Sequence, residues 1–220
     1  MKVKLISYSQ PPPNELNSSN SNNKQLQDLV AFCARVSNPA NQSNTETNEK
    51  LIKYLVKHSH WSPLEMVSIC LEIETTRDIA RQMLRHRSFS FQEFSQRYAV
   101  ADLGFECKDA RIQDTKNRQN SIETDDAVLA NEWELQQRTV SNAAEKAYNW
   151  ALAQGIAKEQ ARSVLPEGMT VSRMYMNGTL RSWVHYIQLR SANGTQREHQ
   201  DVAIACAQAI APIFNIDNLL

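Results

Sequence analysis

Glycine is nearly missing from this chain. Five residues, Gly104, Gly155, Gly168, Gly178 and Gly194, are spread over 220 positions. No two stand close enough for a P-loop or a dinucleotide-binding fingerprint, in which glycines let backbone N–H groups reach a phosphate. Any nucleotide phosphate bound here must be held by other means. Long apolar runs are missing too: none approaches the roughly 18 residues of a membrane helix. The opening stretch, MKVKLISYSQPPP, alternates briefly and then meets three prolines. It reads as a strand entering a loop, not as a signal peptide. Charge of one sign is missing: Lys plus Arg number 24 and Asp plus Glu number 24. No global field draws the protein to nucleic acid or to an acidic membrane. Paired cysteines are missing as well. Cys33, Cys70, Cys107 and Cys206 are far apart. They predict reduced, buried thiols in a cytoplasmic protein (a host's cytoplasm for a viral one), without a disulfide framework or a zinc site.

What is present suffices for one core. Hydrophobic residues make up 41% of the chain, and its length suits one domain over 1–220. Residues 2–9 alternate as a strand. Helices with an apolar face are expected over 24–37 and 49–59, with polar loops over 14–23 and 38–46. Ser62-Pro63-Leu64-Glu65 has the form of a helix start with room for one turn. Residues 67–75 place Val67, Ile69, Leu71 and Ile73 on one side of a strand. Thr76 is suited to cap a helix over 77–87, whose Ile79, Ala80, Met83 and Leu84 face the core. Residues 88–99 read as an extended loop and 100–124 as surface loop. A long helix spans 126–155, with Leu129, Trp133, Val140, Ala144, Ala147 and Ala151 as its apolar stripe and Gly155 at its end. A helix over 158–165, a strand over 169–176 and helices over 179–190 and 196–214 follow. The expected class is α+β, with a mixed or antiparallel sheet flanked by long helices.

The positive charge that does occur is concentrated. Residues 77–98 carry Arg77, Arg81, Arg85, Arg87 and Arg97 against Asp78 and Glu93. Arg77, Arg81 and Arg85 are spaced by four and line one face of the expected helix. Such a row alone is an ordinary solvated face. Arg87 and Arg97 lie beyond it, among serines and phenylalanines, which suits a loop folding around a charged, partly aromatic ligand. Guanidinium forks match phosphate oxygens in pairs, and Ser88, Ser90 and Ser95 add hydroxyl donors. A nucleic-acid-binding helical module is the alternative, and the neutral net charge argues against it. Arg162 and Arg190 stand in similar helix-end settings. His58 with His60, and Glu198 with His199, lack a third ligand at a metal-site spacing, so no metal is expected.

Arg85-His86-Arg87, seven residues, Ser95, then Arg97 and Tyr98 resemble the signature of the flavin-dependent thymidylate synthases, the ThyX family. FCARVS (32–37), HWSPLE (60–65), ARQMLRHR (80–87), ARSVLP (161–166), LRSWVHYIQLR (180–190) and TQREHQDVA (195–203) resemble family segments in the same order. The resemblance covers most of the chain. It implies reductive methylation of dUMP to dTMP, with methylenetetrahydrofolate as carbon donor and FAD, reduced by NADPH, as hydride source. It also implies a homotetramer with shared active sites. By matching positions, Gln82, Arg85, Glu93, Ser95, Arg97, Arg162 and Arg190 would contact dUMP, with Phe94 and Gln96 beside them. Ser62, Arg85, His86, Arg87, Glu93, Arg181 and His185 would contact FAD, with Ser37, His60 and Thr179 nearby. Arg190 matches the position that stabilises negative charge growing on the uracil ring. Ser95 is read as a hydrogen-bond donor, since no His-Asp pair is evident to activate it as a nucleophile. His86, between two arginines, is expected to be neutral. Met66, Gln92 and Thr179 depart from the family's usual histidine, asparagine and asparagine.

Overall fold

The computed structural model describes residues 1–11 and 25–214; the polar loop expected over 14–23 lies outside them. Strands β1 (Lys2–Tyr8), β2 (Ser68–Thr76), β3 (Phe89–Glu93) and β6 (Val171–Thr179) form one sheet in the order β1-β2-β6-β3. All three of its ladders are antiparallel, which corrects the mixed alternative. Alternation sets the two faces. Ile69, Leu71 and Ile73 of β2 and Met174 and Met176 of β6 are buried, and Val3 and Leu5 of β1 pack against them. The opposite face is polar: Arg173 Nε donates to Glu74 Oε1 at 2.8 Å, and Tyr175 Oη donates to Glu72 Oε2 at 2.7 Å.

Helices α1 (Gln25–Ala34), α2 (Asn48–Lys57), α3 (Arg77–Met83), α6 (Leu180–Ser191) and α7 (Arg197–Ile210) surround the buried face. Two long strands end in a threonine and pass directly into a helix. Thr179 Oγ1 accepts from the N–H of Ser182 at 3.2 Å and caps α6. Thr76 makes no such cap; its hydroxyl donates to Asp78 Oδ1 at 2.5 Å. Trp183, fully buried on α6, donates its indole N–H to the Ile69 carbonyl at 3.0 Å and ties helix to sheet.

Several expectations need correction. The segment 88–99 contains β3 instead of a continuous loop. Phe89 and Phe91 turn inward while Ser90 and Gln92 turn out, a strand period. Phe89 lies directly over Gly178: a Cβ there would sit 2.4 Å from its ring, so only glycine lets β3 close on β6. Residues 100–124 contain a hairpin, β4 (Arg111–Gln113) with β5 (Ser121–Glu123). Helix α3 stops at Met83, four residues early, because the chain must reverse for Phe89 to meet Gly178. Helix α4 (Ala127–Ala153) is capped by Asp126 and stopped after Gln154 by Gly155 at φ 78°. Its buried face is Gln137, Ser141, Ala144, Tyr148 and Ala151, whereas Leu129, Trp133 and Val140 are exposed. The helix expected over 158–165 is α5 (Lys158–Ala161) plus a 3-10 turn at Arg162–Val164. All four cysteines are free, but only Cys206 is buried.

Candidate active site

Helix α3 starts beside an acid–base cluster. Glu93, at the end of β3, receives Arg77 on Oε1 at 3.4 Å and Arg81 on Oε2 at 3.2 Å. Ser172 of β6 donates to the same Oε1 at 3.0 Å, and Arg81 also reaches Glu167 at 3.0 Å. Burial makes the Arg77 guanidinium release its proton more readily, and Glu93 counters this. The charge of Arg162, on the 3-10 turn after α5, also acts on Arg77. Glu93 thus reaches no member of the expected dUMP and FAD sets within this chain; its two arginines are neighbours that the sequence left as a helix face.

The other end of α3 meets α6 and α7. Arg190 Nε, in the last turn of α6, donates to His86 Nε2 at 2.9 Å. His86 must therefore be neutral, with its proton on Nδ1. Burial, and then the charges of Arg190 and Arg85, lower its pKa to about 4. Its ring stands edge-on to Tyr186, centroids 5.0 Å apart. Gln82 donates from Nε2 to Gln196 Oε1 at 2.8 Å, and its Oε1 lies 3.1 Å from His199 Nδ1. His199 is fully buried, and its Nε2 lies 3.1 Å from Tyr186 Oη. Burial, then the charges of Arg190 and His86, lower its pKa to about 3.

A third group gathers where α2 ends and α6 begins. The turn after α2 places Ser59 at φ 57°, with the Ser59 and His60 N–H groups bonded back to Val56 and Leu55. This left-handed residue usually is glycine; here it turns His58 and His60 toward Tyr54, at ring distances of 4.3 and 6.0 Å. Ser62 is the first residue of a 3-10 turn, Ser62–Glu65, and Trp61, not Ser62, holds its N-cap position. Glu65 of that turn pairs with Arg181. His185 stands edge-on to Trp61 at 4.5 Å; burial and then Arg181 hold its pKa below the ordinary value. Thr179 is the α6 cap, so its hydroxyl has a structural partner.

The remaining expected residues are spread out. Arg85 and Arg87 are exposed, and no carboxylate among the described residues pairs with either. Arg97 is 55% exposed and pairs with Glu159 at 3.5 Å. The Phe94 N–H donates to the Arg173 carbonyl at 2.8 Å, and the Ser95 carbonyl accepts from Tyr98 and Ala99. Gln96 is buried, yet its Nε2 has no hydrogen-bond partner among the described residues. Ser37 is exposed past the end of α1. Met66 is exposed. Within one chain, then, Gln82, His86 and Arg190 converge with α7, while Arg97 lies apart beside Glu159.

Sequence reasoning missed Tyr186, Gln196 and Arg111 and dismissed Glu198 and His199 as a failed metal pair. His199 carried a legible signal: it shares the α7 face of Val202, Ala203 and Cys206, at core spacing. Arg111, in a segment read as surface loop, donates to Glu198 Oε1 at 2.5 Å, and gave no signal. Arg111 and Glu198 also border a cavity of about 710 Å³ between the β4–β5 hairpin, α4 and α7, which none of the expected site residues lines.

Comparison with known proteins decides the family. Residues 20–214 match the family described as "Thy1: Thymidylate synthase complementing protein". The chain is 50% identical over 186 residues to the flavin-dependent thymidylate synthase of Synechocystis, covering 84% of this chain and 85% of that protein. The chain belongs to the flavin-dependent thymidylate synthase family. It is also 47% identical over 214 residues to the "Probable flavin-dependent thymidylate synthase" of Paramecium bursaria Chlorella virus 1, covering 97% of this chain and 95% of the viral one. Among solved structures it is similar to the UMP/dUMP methylase PolB of Streptomyces cacaoi bound with 5-Br dUMP. That match has a TM-score of 0.78 at 26% identity, over 99% of this chain and 92% of PolB.

Proposed function

We propose that this chain, as one domain, converts dUMP to dTMP, taking the carbon from methylenetetrahydrofolate. Its relatives bear that activity in their names, and PolB is a dUMP methylase. The observation that carries the reading to residues is the neutral His86 accepting from Arg190 Nε. It fixes one edge of the guanidinium and leaves the Nη groups to face a ligand. Arginine keeps its proton at any working pH. Held beside the N3 edge of uracil, it stabilises negative charge where the ring becomes nucleophilic; one such preorganised donor contributes on the order of 3 kcal/mol. No covalent enzyme nucleophile is needed. Cys206 is wholly buried with its thiol pKa pushed well up, and Ser95 serves as a donor.

The residues present fit FAD. Arg85 and Arg87 are exposed cations that pair with no carboxylate among the described residues. Trp61 with His185 gives ring surface beside Arg181. Bound FAD, reduced by NADPH, supplies the hydride that no side chain can. Arg85, Arg87 and Arg181 would bind its phosphates, with Ser37, His60, Ser62, His86, Thr179 and His185 as further contacts. Arg85, Arg97 and Arg162 would hold the dUMP phosphate. The protein is a homotetramer whose active sites are shared between subunits. Dispersal of the site groups within one chain supports this, as do the exposed Leu129, Trp133 and Val140 on α4. No helix among the described residues is long and apolar enough to cross a membrane.

The test is direct. Purified protein should be yellow, and with dUMP, NADPH and methylenetetrahydrofolate it should form dTMP. Colourless protein that forms no dTMP after FAD is added would sink the proposal.

A further inference from the structure

Glu198, Gln196, Gln82, His199 and Tyr186 form one hydrogen-bond chain, and its chemistry allows each donor a single direction. Arg111 donates to Glu198 Oε1 at 2.5 Å. Burial alone would raise the Glu198 pKa, but hydrogen bonds from its own N–H, Gln196 and Arg111 outweigh this and hold it below its ordinary value. An ionised carboxylate only accepts. Gln196 must therefore turn its NH₂ to Glu198 Oε2, at 2.9 Å, and its oxygen to Gln82. Gln82 must answer with its own NH₂, at 2.8 Å, which leaves its Oε1 for His199. His199 is buried beside Arg190 and uncharged, so one ring nitrogen donates and the other accepts. Nδ1, 3.1 Å from Gln82 Oε1, is the donor; Nε2, 3.1 Å from Tyr186, accepts from the phenol. Amide and imidazole orientations are ordinarily ambiguous. Here the carboxylate at one end dictates them all.

We propose that His199, with the Arg111–Glu198 pair at the other end, is a positioning residue that locks the Gln82 amide in one orientation, Nε2 toward Gln196 and Oε1 toward His199, for its contact with dUMP. This rests on the proposed function, together with the family resemblance by which Gln82 would contact dUMP. Beyond these bonds the Gln82 Nε2 has a second N–H and its Oε1 a second lone pair, and the lock fixes where each of them points. A flipped amide would oppose two oxygens to one another at Gln196 and two donors at His199, so the lock costs nothing further on binding.

Neutron diffraction from crystals in D₂O reads the direction itself. A deuteron on His199 Nδ1, none on Nε2, and ND₂ of Gln82 toward Gln196 are expected; a deuteron on Nε2 alone would overturn the proposal. Kinetics read the consequence. His199→Leu should raise the KM for dUMP about tenfold, the effect of one lost oriented hydrogen bond, with kcat within about twofold and flavin retained. His199→Asn, whose amide nitrogen replaces Nδ1, should recover most of that. His199→Gln, which reaches only Tyr186, should not. An unchanged KM in the leucine variant, or recovery by glutamine instead of asparagine, would overturn it. Should His199→Leu fail to fold, Glu198→Gln tests the far end, since glutamine can donate as well as accept. A similar rise in KM supports the lock and an unchanged KM refutes it. If the wild type forms no dTMP, the dUMP reading falls, while the neutron map still decides the direction of the chain.

Discussion

The two ends of α3 use arginine in opposite ways. At its start, Arg77 and Arg81 close on Glu93, with Glu167 and Ser172 adding bonds. Past its end, Arg85 and Arg87 stand exposed without a carboxylate, and the nearby polar groups are neutral histidines and glutamines. Four residues of spacing put Arg77, Arg81 and Arg85 in one apparent row, yet the row breaks where the helix stops at Met83. Arg77 and Arg81, already neutralised, hold the fold. Arg85 and Arg87, left open, are available for an anion, because no carboxylate among the described residues has discharged them.

Variants can break this contrast. The largest effect should come from Arg190→Ala: dTMP formation falls about 100-fold, the share of one preorganised charge, while flavin stays bound. Near-normal turnover would contradict the assignment of Arg190. Arg87→Ala should weaken FAD about tenfold, read as flavin lost on gel filtration, since one charge-assisted contact disappears. Glu93→Gln belongs to the other end. It should destabilise the protein by about 2 kcal/mol in urea, because Arg77 is left half-buried without its counter-charge.

Acid should also separate the two ends. His86 and His199 have folded pKa values lowered to about 4 and about 3. The unfolded chain takes up those protons near pH 6.5. Their contribution is therefore complete above pH 6.5 and is lost as pH falls toward 4. Tm should hold steady from pH 8 to 7 and decline between 6.5 and 4. In Arg190→Ala the decline should be shallower, because one of the charges depressing both histidines is gone. The smallest effect is expected for Arg81→Gln. Arg81 is 45% exposed, and such pairs contribute less than about 1 kcal/mol, so its urea midpoint should barely move.

Much of the fold was legible because its signals are local. Strict alternation in β2, the helical period of Ile79, Ala80 and Met83, and Gly155 past α4 each act within a few residues. β3 was missed because its five residues gain stability only from closing on β6, where Phe89 requires Gly178. The α4 stripe was misread because apolar spacing reports a face, not what covers it. At the site, motif order named His86 and Arg190 as members. It did not show that they bond to each other, nor that Glu93 serves Arg77 and Arg81.

The sequence alone determined that no glycine-rich loop is available to bring backbone amides close to a phosphate, since its five glycines are dispersed. It also carried the family, through motifs whose order survives without coordinates. Only the tertiary structure decided which arginines are spent on carboxylates and which remain open, and which way the Gln82 amide points. Both depend on groups far apart in the chain, such as Arg111, Glu198 and His199, meeting where water is excluded. Hydrogen-bond direction is set there by the one partner that can only accept.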